Sequence, residues 1–323
     1  MPVESRKLGT SGCSVAPIAL GCYPIAGVTT LGANEADSIA TIQACFDLGI
    51  NHLDTAYVYG EHGESENLIR QAIAGRRDEV VIATKGGIHF ESGSMVNDAR
   101  PETLLRECDE SLQRLGTDRV ELYYLHSPDR ERPIEESAAA IAKLIEQGKV
   151  LSAGLSNATP EEMEAFHAVC PLSMVQLPYN MLQRGIEQRT VPWCQENGIG
   201  IAVYWALMKG LLAGKLPRDG QLAEGDSRRK YPMFQGEEYR KNLDFVDRLR
   251  EIAEPVGLSV AQLVVAWTIR QPGITVALCG AKRAYQITET AVAQQVELTP
   301  EVLQAIDDAL AERGEALTNR QFE

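Results

Sequence analysis

A carboxylate and a phenol stand five residues apart in Asp54-Thr55-Ala56-Tyr57-Val58-Tyr59-Gly60, just after the segment Ile50 to Leu53, which reads as a strand end. An amine follows at Lys85, closing Val80-Val81-Ile82-Ala83-Thr84-Lys85, and an imidazole at His126, closing Leu122-Tyr123-Tyr124-Leu125-His126. A free phenol titrates near about 10, poorly matched to neutral pH. A neighbouring ammonium favours the phenolate and makes that proton easier to move. Lys85 can supply the charge, Asp54 can anchor Lys85, and His126 can hydrogen-bond an oxygen that gains or loses the proton. Such a set suits protonation of a nascent alkoxide. Each member alone has a plain structural reading: a Tyr or Asp after a strand, a satisfied core His, a surface Lys. Together the structural reading weakens, because buried acids and lysines are costly unless paired.

The four groups meet only if a fold brings their strand ends together. Strand-like and helix-like segments alternate from end to end. The strands fall near 17–21, 50–54, 80–85, 120–126, 151–156, 173–177, 199–204 and 274–279. Asn34 caps a run in which Ile39, Ile42, Cys45, Phe46 and Ile50 recur at helical spacing. Pro101 opens another helix at a tolerated first-turn position, with Leu104, Leu105, Cys108, Leu112 and Leu115 as its apolar stripe. Pro133 and Pro160 open two more, and Ser259 precedes Val260 to Ile269, apolar on most sides and so expected to be well buried. Repeated strand-then-helix units predict an α/β chain that forms a single (β/α)8 TIM barrel domain over 1–323, with active groups on the face of the C-terminal strand ends. A doubly wound sheet is the competitor, but no Gly-x-Gly-x-x-Gly follows an early strand. Residues 3–17 read as an N-terminal β-hairpin that plugs the barrel floor. The stretch Gly214 to Arg240 is charged, poor in apolar residues and carries Arg228-Arg229-Lys230-Tyr231-Pro232. Its length points to a functional or mobile loop, and the basic triplet in an acidic chain tips the reading toward a flap over a solvated excursion.

Composition narrows the partners. The 323 residues suit one large barrel or two average domains, and 44% hydrophobic content supports a sizeable core. No apolar run approaches a membrane span, and Met1 to Lys7 lacks a signal segment. A net charge of −14 and a pI near 4.9 disfavour nucleic acid and anionic membrane as partners. An anionic ligand therefore needs a local basic cluster. Lys282 and Arg283, after Gly280 at the start of a helical pattern, offer one, combining backbone donors with two cations. Seven scattered cysteines (Cys13, Cys22, Cys45, Cys108, Cys170, Cys194 and Cys279) lack disulfide or metal-site spacing, so no metal is expected and a reducing cytoplasm is the simplest setting.

At these residues the chain resembles the aldo-keto reductases. The likeness begins with Arg6-Lys7-Leu8-Gly9-Thr10-Ser11-Gly12 and Ile18-Ala19-Leu20-Gly21-Cys22, and runs through the Asp54–Gly60 segment and Lys85. It continues in Leu125-His126-Ser127-Pro128-Asp129, Gly148-Lys149-Val150, Gly154-Leu155-Ser156-Asn157 and Gln176-Leu177-Pro178-Tyr179-Asn180. It closes with Gly210-Leu211-Leu212-Ala213-Gly214-Lys215 and Gly280-Ala281-Lys282-Arg283. Their order along the chain carries the assignment.

The resemblance implies an NADP(H)-dependent oxidoreductase. It would reduce aldehydes or ketones to alcohols, or run the reverse on an aldose or similar alcohol, with Asp54, Tyr59, Lys85 and His126 as the catalytic set. It implies that Ser156, Asn157 and Gln176 hold the nicotinamide carboxamide and that Tyr204 stacks under its ring. Gly210 would run by the pyrophosphate with Lys209 and Lys215 supplying charge, under the Gly214–Arg240 flap. Lys282 and Arg283 would take the 2′-phosphate, with Gln286 and Glu289 near the adenosine; Gly21, Cys22, Trp205, Ala206, Leu207 and Gly280 complete the expected cofactor lining. Three positions depart from the family pattern: Trp205 where serine is common, Ala206 where proline is, and Thr290 where asparagine is. Tyr23, Tyr57, His89 and Phe90, with Trp205, are expected at the substrate mouth for a small carbonyl or alcohol. A monomer or homo-oligomer is compatible with this. The alternative is a cofactor-binding regulatory or scaffold subunit similar to the potassium-channel β-subunits.

Overall fold

The computed structural model describes residues 3–27, 32–218, 222–318 and Phe322. It opens with an antiparallel hairpin, β1 (Arg6–Lys7) and β2 (Ser14–Val15). Eight parallel strands then close a barrel among the described residues: β3 (Ile18–Gly21), β4 (His52–Asp54), β5 (Val81–Gly86), then, past a second hairpin of β6 (Ile88–Glu91) and β7 (Ser94–Asn97), β8 (Leu122–Leu125), β9 (Ala153–Ser156), β10 (Leu172–Pro178), β11 (Gly200–Tyr204) and β12 (Ile274–Gly280). β12 pairs back onto β3, with Ala277 beside Ile18 and Gly280 beside Gly21, so the sheet has no free edge. The outer layer contains α1 (Glu35–Asp47), α2 (Glu64–Ala72), α3 (Pro101–Leu115), α4 (Ile134–Glu146), α5 (Pro160–Val169), α6 (Thr190–Glu196), α7 (Gly236–Ala253), α8 (Val260–Thr268), α9 (Ala284–Ala291) and α10 (Pro300–Arg313).

Strand alternation divides the core in two. Inward residues Ala19, Val81, Ala83, Leu122, Tyr124, Met174, Ala202 and Val276 pack inside the barrel. Outward residues such as Leu20, Leu53, Ile82 and Leu155 pack under the helices. Leu8 and Val15 join the inner cluster, so the first hairpin does plug the floor. Gly9 makes that possible: at φ +52° it lies so close to β10 that a Cβ would meet the Ser173 carbonyl oxygen at 1.8 Å.

The expected helix starts are built as their chemistry demands. Asn34 Oδ1 accepts from Asp37 N, Pro101 and Pro160 sit in first turns, and Ser259 forms a capping box with Gln262. Every residue of α8 except Gln262 is buried. Two features differ from expectation. The Gly214–Arg240 stretch is shorter as a loop, because α7 already begins at Gly236, with Glu237 and Glu238 favouring its positive N-terminal end. Short 3₁₀ turns occupy Ser227–Lys230 and Pro232–Phe234 within it, and residues 219–221 lie outside the described residues. The β6–β7 hairpin is an addition that the strand-helix pattern did not signal. All seven cysteines are free, and no helix among the described residues is long and apolar enough to cross a membrane.

Candidate active site

Asp54 ends β4 and Lys85 is the penultimate residue of β5; both point into the barrel mouth, 2% and 0% exposed. Lys85 Nζ lies 2.6 Å from Asp54 Oδ1, 2.7 Å from the Thr55 carbonyl oxygen and 3.4 Å from the Tyr59 hydroxyl oxygen. An ammonium has three protons, and here three acceptors take them. The Tyr59 oxygen is thus an acceptor toward Lys85, which leaves its own proton to point elsewhere. Gln176 Nε2 donates to the second Asp54 oxygen at 2.7 Å, so the buried carboxylate is satisfied on both sides.

Tyr59 is carried by a turn fastened to Lys85's strand. The Thr55 and Tyr57 amides donate to the Ala83 and Lys85 carbonyls at 2.8 and 2.9 Å, continuing the sheet pairing beyond β4. The Tyr59 ring then sits between Tyr23, with centroids 5.1 Å apart, and His126, 5.9 Å apart, both edge-on. Tyr23 is 38% exposed and marks the solvent side. The His126 amide is held by the Gly86 carbonyl at 2.9 Å.

The groups expected around a nicotinamide are also connected. Asn157, at φ +60°, donates to the His126 carbonyl at 2.9 Å and to Ser156 Oγ at 3.1 Å, and its Oδ1 accepts from the Tyr204 hydroxyl at 2.7 Å. Ser156 Oγ donates to the Gln176 carbonyl at 3.0 Å. A single network therefore runs from Tyr204 through Asn157, Ser156 and Gln176 to Asp54. Beyond Tyr204 the backbone turns left-handed at Trp205, Met208, Lys209 and Gly210. Such clustered strain on non-glycine residues is typical of ligand clamps. Lys209 Nζ is caged 4.6 Å from the Trp205 ring and 4.5 Å from the Tyr231 ring. Arg228, paired with Asp226 at 2.7 Å, donates to the Lys209 carbonyl at 3.2 Å. Trp205, a departure from the family pattern, thus supplies half of the cage. Ala206 is buried and Leu207 packs half-buried behind it.

On the far rim, Arg283 pairs with Asp37 at 3.1 Å and donates to the Gly32 carbonyl at 2.8 Å, while Gln286 Oε1 accepts from the Lys282 amide at 2.9 Å. Lys215 is paired with Glu289. Thr290 is buried and its hydroxyl donates back to helix carbonyls at Gln286 and Ile287. Gly280 faces Pro24, where a Cβ would approach to 3.0 Å. Gly21 ends β3, and Cys22, whose amide donates to the Asp54 carbonyl at 2.8 Å, is fully buried, which pushes its thiol well above the ordinary range.

Two residues expected at the substrate mouth are bonded to α3. The Tyr57 hydroxyl donates to Glu110 on α3 at 2.5 Å, and Arg114 stacks 4.1 Å from its ring. His89 Nδ1 is 2.7 Å from Glu107, whose other oxygen accepts from the Gly87 amide, also at 2.7 Å. Both side chains are tied to α3. Phe90 is half-buried on β6. Several contacts carry no signal in the sequence: the Thr55 carbonyl to Lys85, Arg228 to the Lys209 carbonyl and the Arg114 stack depend on chain crossings that no local spacing encodes. His52, two residues before Asp54 and on the same inward face, is fully buried, and among the described residues neither of its ring nitrogens has a partner. Burial brings its pKa down to about 4.

A model of the aldo/keto reductase family matches residues 17–311. An aldo-keto reductase of Bacillus subtilis, YhdN, is 36% identical over 288 residues, 88% of this chain and 87% of that protein. A glycerol dehydrogenase of Gluconobacter oxydans has a solved structure with a TM-score of 0.90 at 33% identity, covering 100% of both chains. The holo form of an aldo-keto reductase from Bacillus halodurans has a TM-score of 0.78 at 27% identity, covering 95% of this chain and 96% of that one. With its closed barrel, and with matches that span nearly its whole length, the chain belongs to the aldo/keto reductase family of oxidoreductases.

Proposed function

We propose that this chain is one barrel domain over 1–323 that acts as an NADP(H)-dependent oxidoreductase interconverting small aldehydes or ketones with alcohols, with Tyr59 as the general acid and base. The observation that carries the reading is the Lys85 ammonium, whose three protons are engaged by Asp54, Thr55 and Tyr59. An ammonium fixed against the phenol oxygen favours phenolate, so the proton can leave Tyr59 for an alkoxide near neutral pH and return in the reverse direction. His126, edge-on beside Tyr59, orients the substrate oxygen. A bound nicotinamide would supply or accept the hydride. Its carboxamide suits the Ser156, Asn157 and Gln176 network, its ring suits the Tyr204 face, and its phosphates suit the left-handed segment at Trp205–Gly210 with Lys209 beside it. Lys282 and Arg283 support a 2′-phosphate, hence NADP(H) over NAD(H). The named activity of the Gluconobacter relative supports alcohol oxidation as one direction and a hydroxylated substrate as one class. The free cysteines agree with a reducing, cytoplasmic setting.

The test is a fluorescence titration of NADPH beside NADH, followed by a panel of aldehydes, ketones and polyols read by nicotinamide absorbance. Tighter NADPH binding with turnover on some of the panel is the expected result. Tight binding with no turnover would move the chain to a cofactor-binding regulatory role, and absence of binding would overturn the cofactor assignment.

A further inference from the structure

We propose that the buried Glu66–Arg114 ion pair, behind the barrel wall, sets the separation between the Tyr59 phenol and the Lys85 ammonium. This rests on the proton-transfer reading of Tyr59 given above. Glu66 on α2 is fully buried, and its two oxygens have different tasks. Oε1 accepts from Thr84 Oγ1 at 2.7 Å, and Oε2 accepts from Arg114 Nη1 at 3.3 Å. Thr84 immediately precedes Lys85 on β5 and faces outward where Lys85 faces inward. Arg114 on α3 donates from the same Nη1 to the Tyr57 carbonyl at 3.3 Å, with its guanidinium over the Tyr57 ring. Tyr57 lies two residues before Tyr59. The pair therefore grips the strand just before the ammonium and the turn just before the phenol at the same time.

The surroundings support a built device. Gly63, at φ +74°, leaves the room that Arg114 needs: a Cβ there would lie 2.4 Å from Arg114 Cδ. The Tyr57 hydroxyl donates to Glu110, and Arg106 reaches the other Glu110 oxygen at 3.2 Å, so the ring cannot swing away without breaking a second contact. The charged groups around Arg114 are Glu66 and Glu110, with Arg106 beyond; those facing the phenol are Lys85, Asp54 and His126. Glu66 and Arg114 act through Thr84 and Tyr57, just before the ammonium and the phenol in the chain, so both are positioning residues. A change in the Tyr59 proton that persists when the charge of the pair is kept comes through distance.

Two variants test this. Arg114→Lys keeps the charge against Glu66 but loses the planar stack on Tyr57 and the fixed Nη1 that bridges Glu66 and the Tyr57 carbonyl. The double variant Glu66→Gln with Arg114→Met removes the pair without stranding a buried carboxylate. Cofactor affinity, kcat and the pH of half-maximal alcohol oxidation are measured on each, beside Tyr59→Phe. The expected result is an unchanged cofactor Kd, a kcat lower by roughly ten- to hundredfold, and a half-maximal pH displaced upward as the ammonium recedes from the phenol. A lowered Tm with kcat and the half-maximal pH both unmoved would overturn the proposal while leaving the Tyr59 reading intact. Retained turnover in Tyr59→Phe would overturn both.

Discussion

Replacing Lys85 with methionine removes the ammonium and keeps most of the side-chain volume. Two unit charges 3.4 Å apart interact by about 5 kcal/mol at an effective dielectric near 20. Desolvation of the phenolate offsets part of that, and the remaining attraction favours phenolate over phenol. Loss of the tuned acid should reduce kcat by about 10²–10⁴-fold, the range of general acid–base catalysis. The cofactor Kd should hold, because the three protons of the Lys85 ammonium are engaged by Asp54, Thr55 and Tyr59. Stability needs a separate reading. Asp54 is 2% exposed, and removing its ion partner strands a buried charge at a cost of about 3–5 kcal/mol. The double variant Asp54→Asn with Lys85→Met should regain much of that stability and none of the turnover. Urea unfolding and steady-state kinetics on both variants separate the two effects. A Lys85→Met enzyme within about threefold of wild-type kcat would refute the reasoning.

Three further outcomes follow from individual residues. His52 has a folded-state pKa of about 4 against an ordinary value near 6.5, so the unfolded chain binds more protons between those values. Stability should therefore be complete above about pH 6.5 and fall by roughly 3 kcal/mol as pH drops to about 4; urea unfolding across that window should lose this part of its slope in His52→Phe, and an unchanged slope would assign it elsewhere. Gly9→Ala puts a Cβ against the Ser173 carbonyl in a left-handed position, so it should cost about 2 kcal/mol or more in unfolding experiments and leave the cofactor Kd alone. Arg283→Ala should weaken NADPH by about tenfold and NADH much less, as read by paired fluorescence titrations; equal losses would place the 2′-phosphate elsewhere.

Much of this molecule was legible because its signals are local. Runs such as Ile18–Leu20 and Val81–Ala83 mark strands, and Asn34, Pro101, Pro160 and Ser259 mark helix starts whose caps depend only on nearby residues. Asp54, Lys85 and His126 were placed because each follows such a run, and parallel strand ends must converge in a closed barrel. The bonds of Tyr57 and His89 to α3 were not legible for a complementary reason. Tyr57 lies in a turn past the end of β4 and His89 on the β6 strand of a hairpin the pattern did not signal, and their partners Glu110, Arg114 and Glu107 sit on α3. The charge-rich start of α7 reads as loop because the acids that favour its positive end also suit a solvated segment. Arg228 reaches Lys209 across a link that no residue spacing announces.

The most direct measurement is a single-turnover reaction of the Tyr59→Phe enzyme with NADPH bound. Phenylalanine keeps the ring between Tyr23 and His126 and removes only the oxygen that Lys85 contacts. The expected result is an unchanged cofactor Kd with nicotinamide oxidation slowed by about a thousandfold or more. Oxidation at close to the wild-type rate would show that the proton comes from another group and would contradict the role assigned to Tyr59.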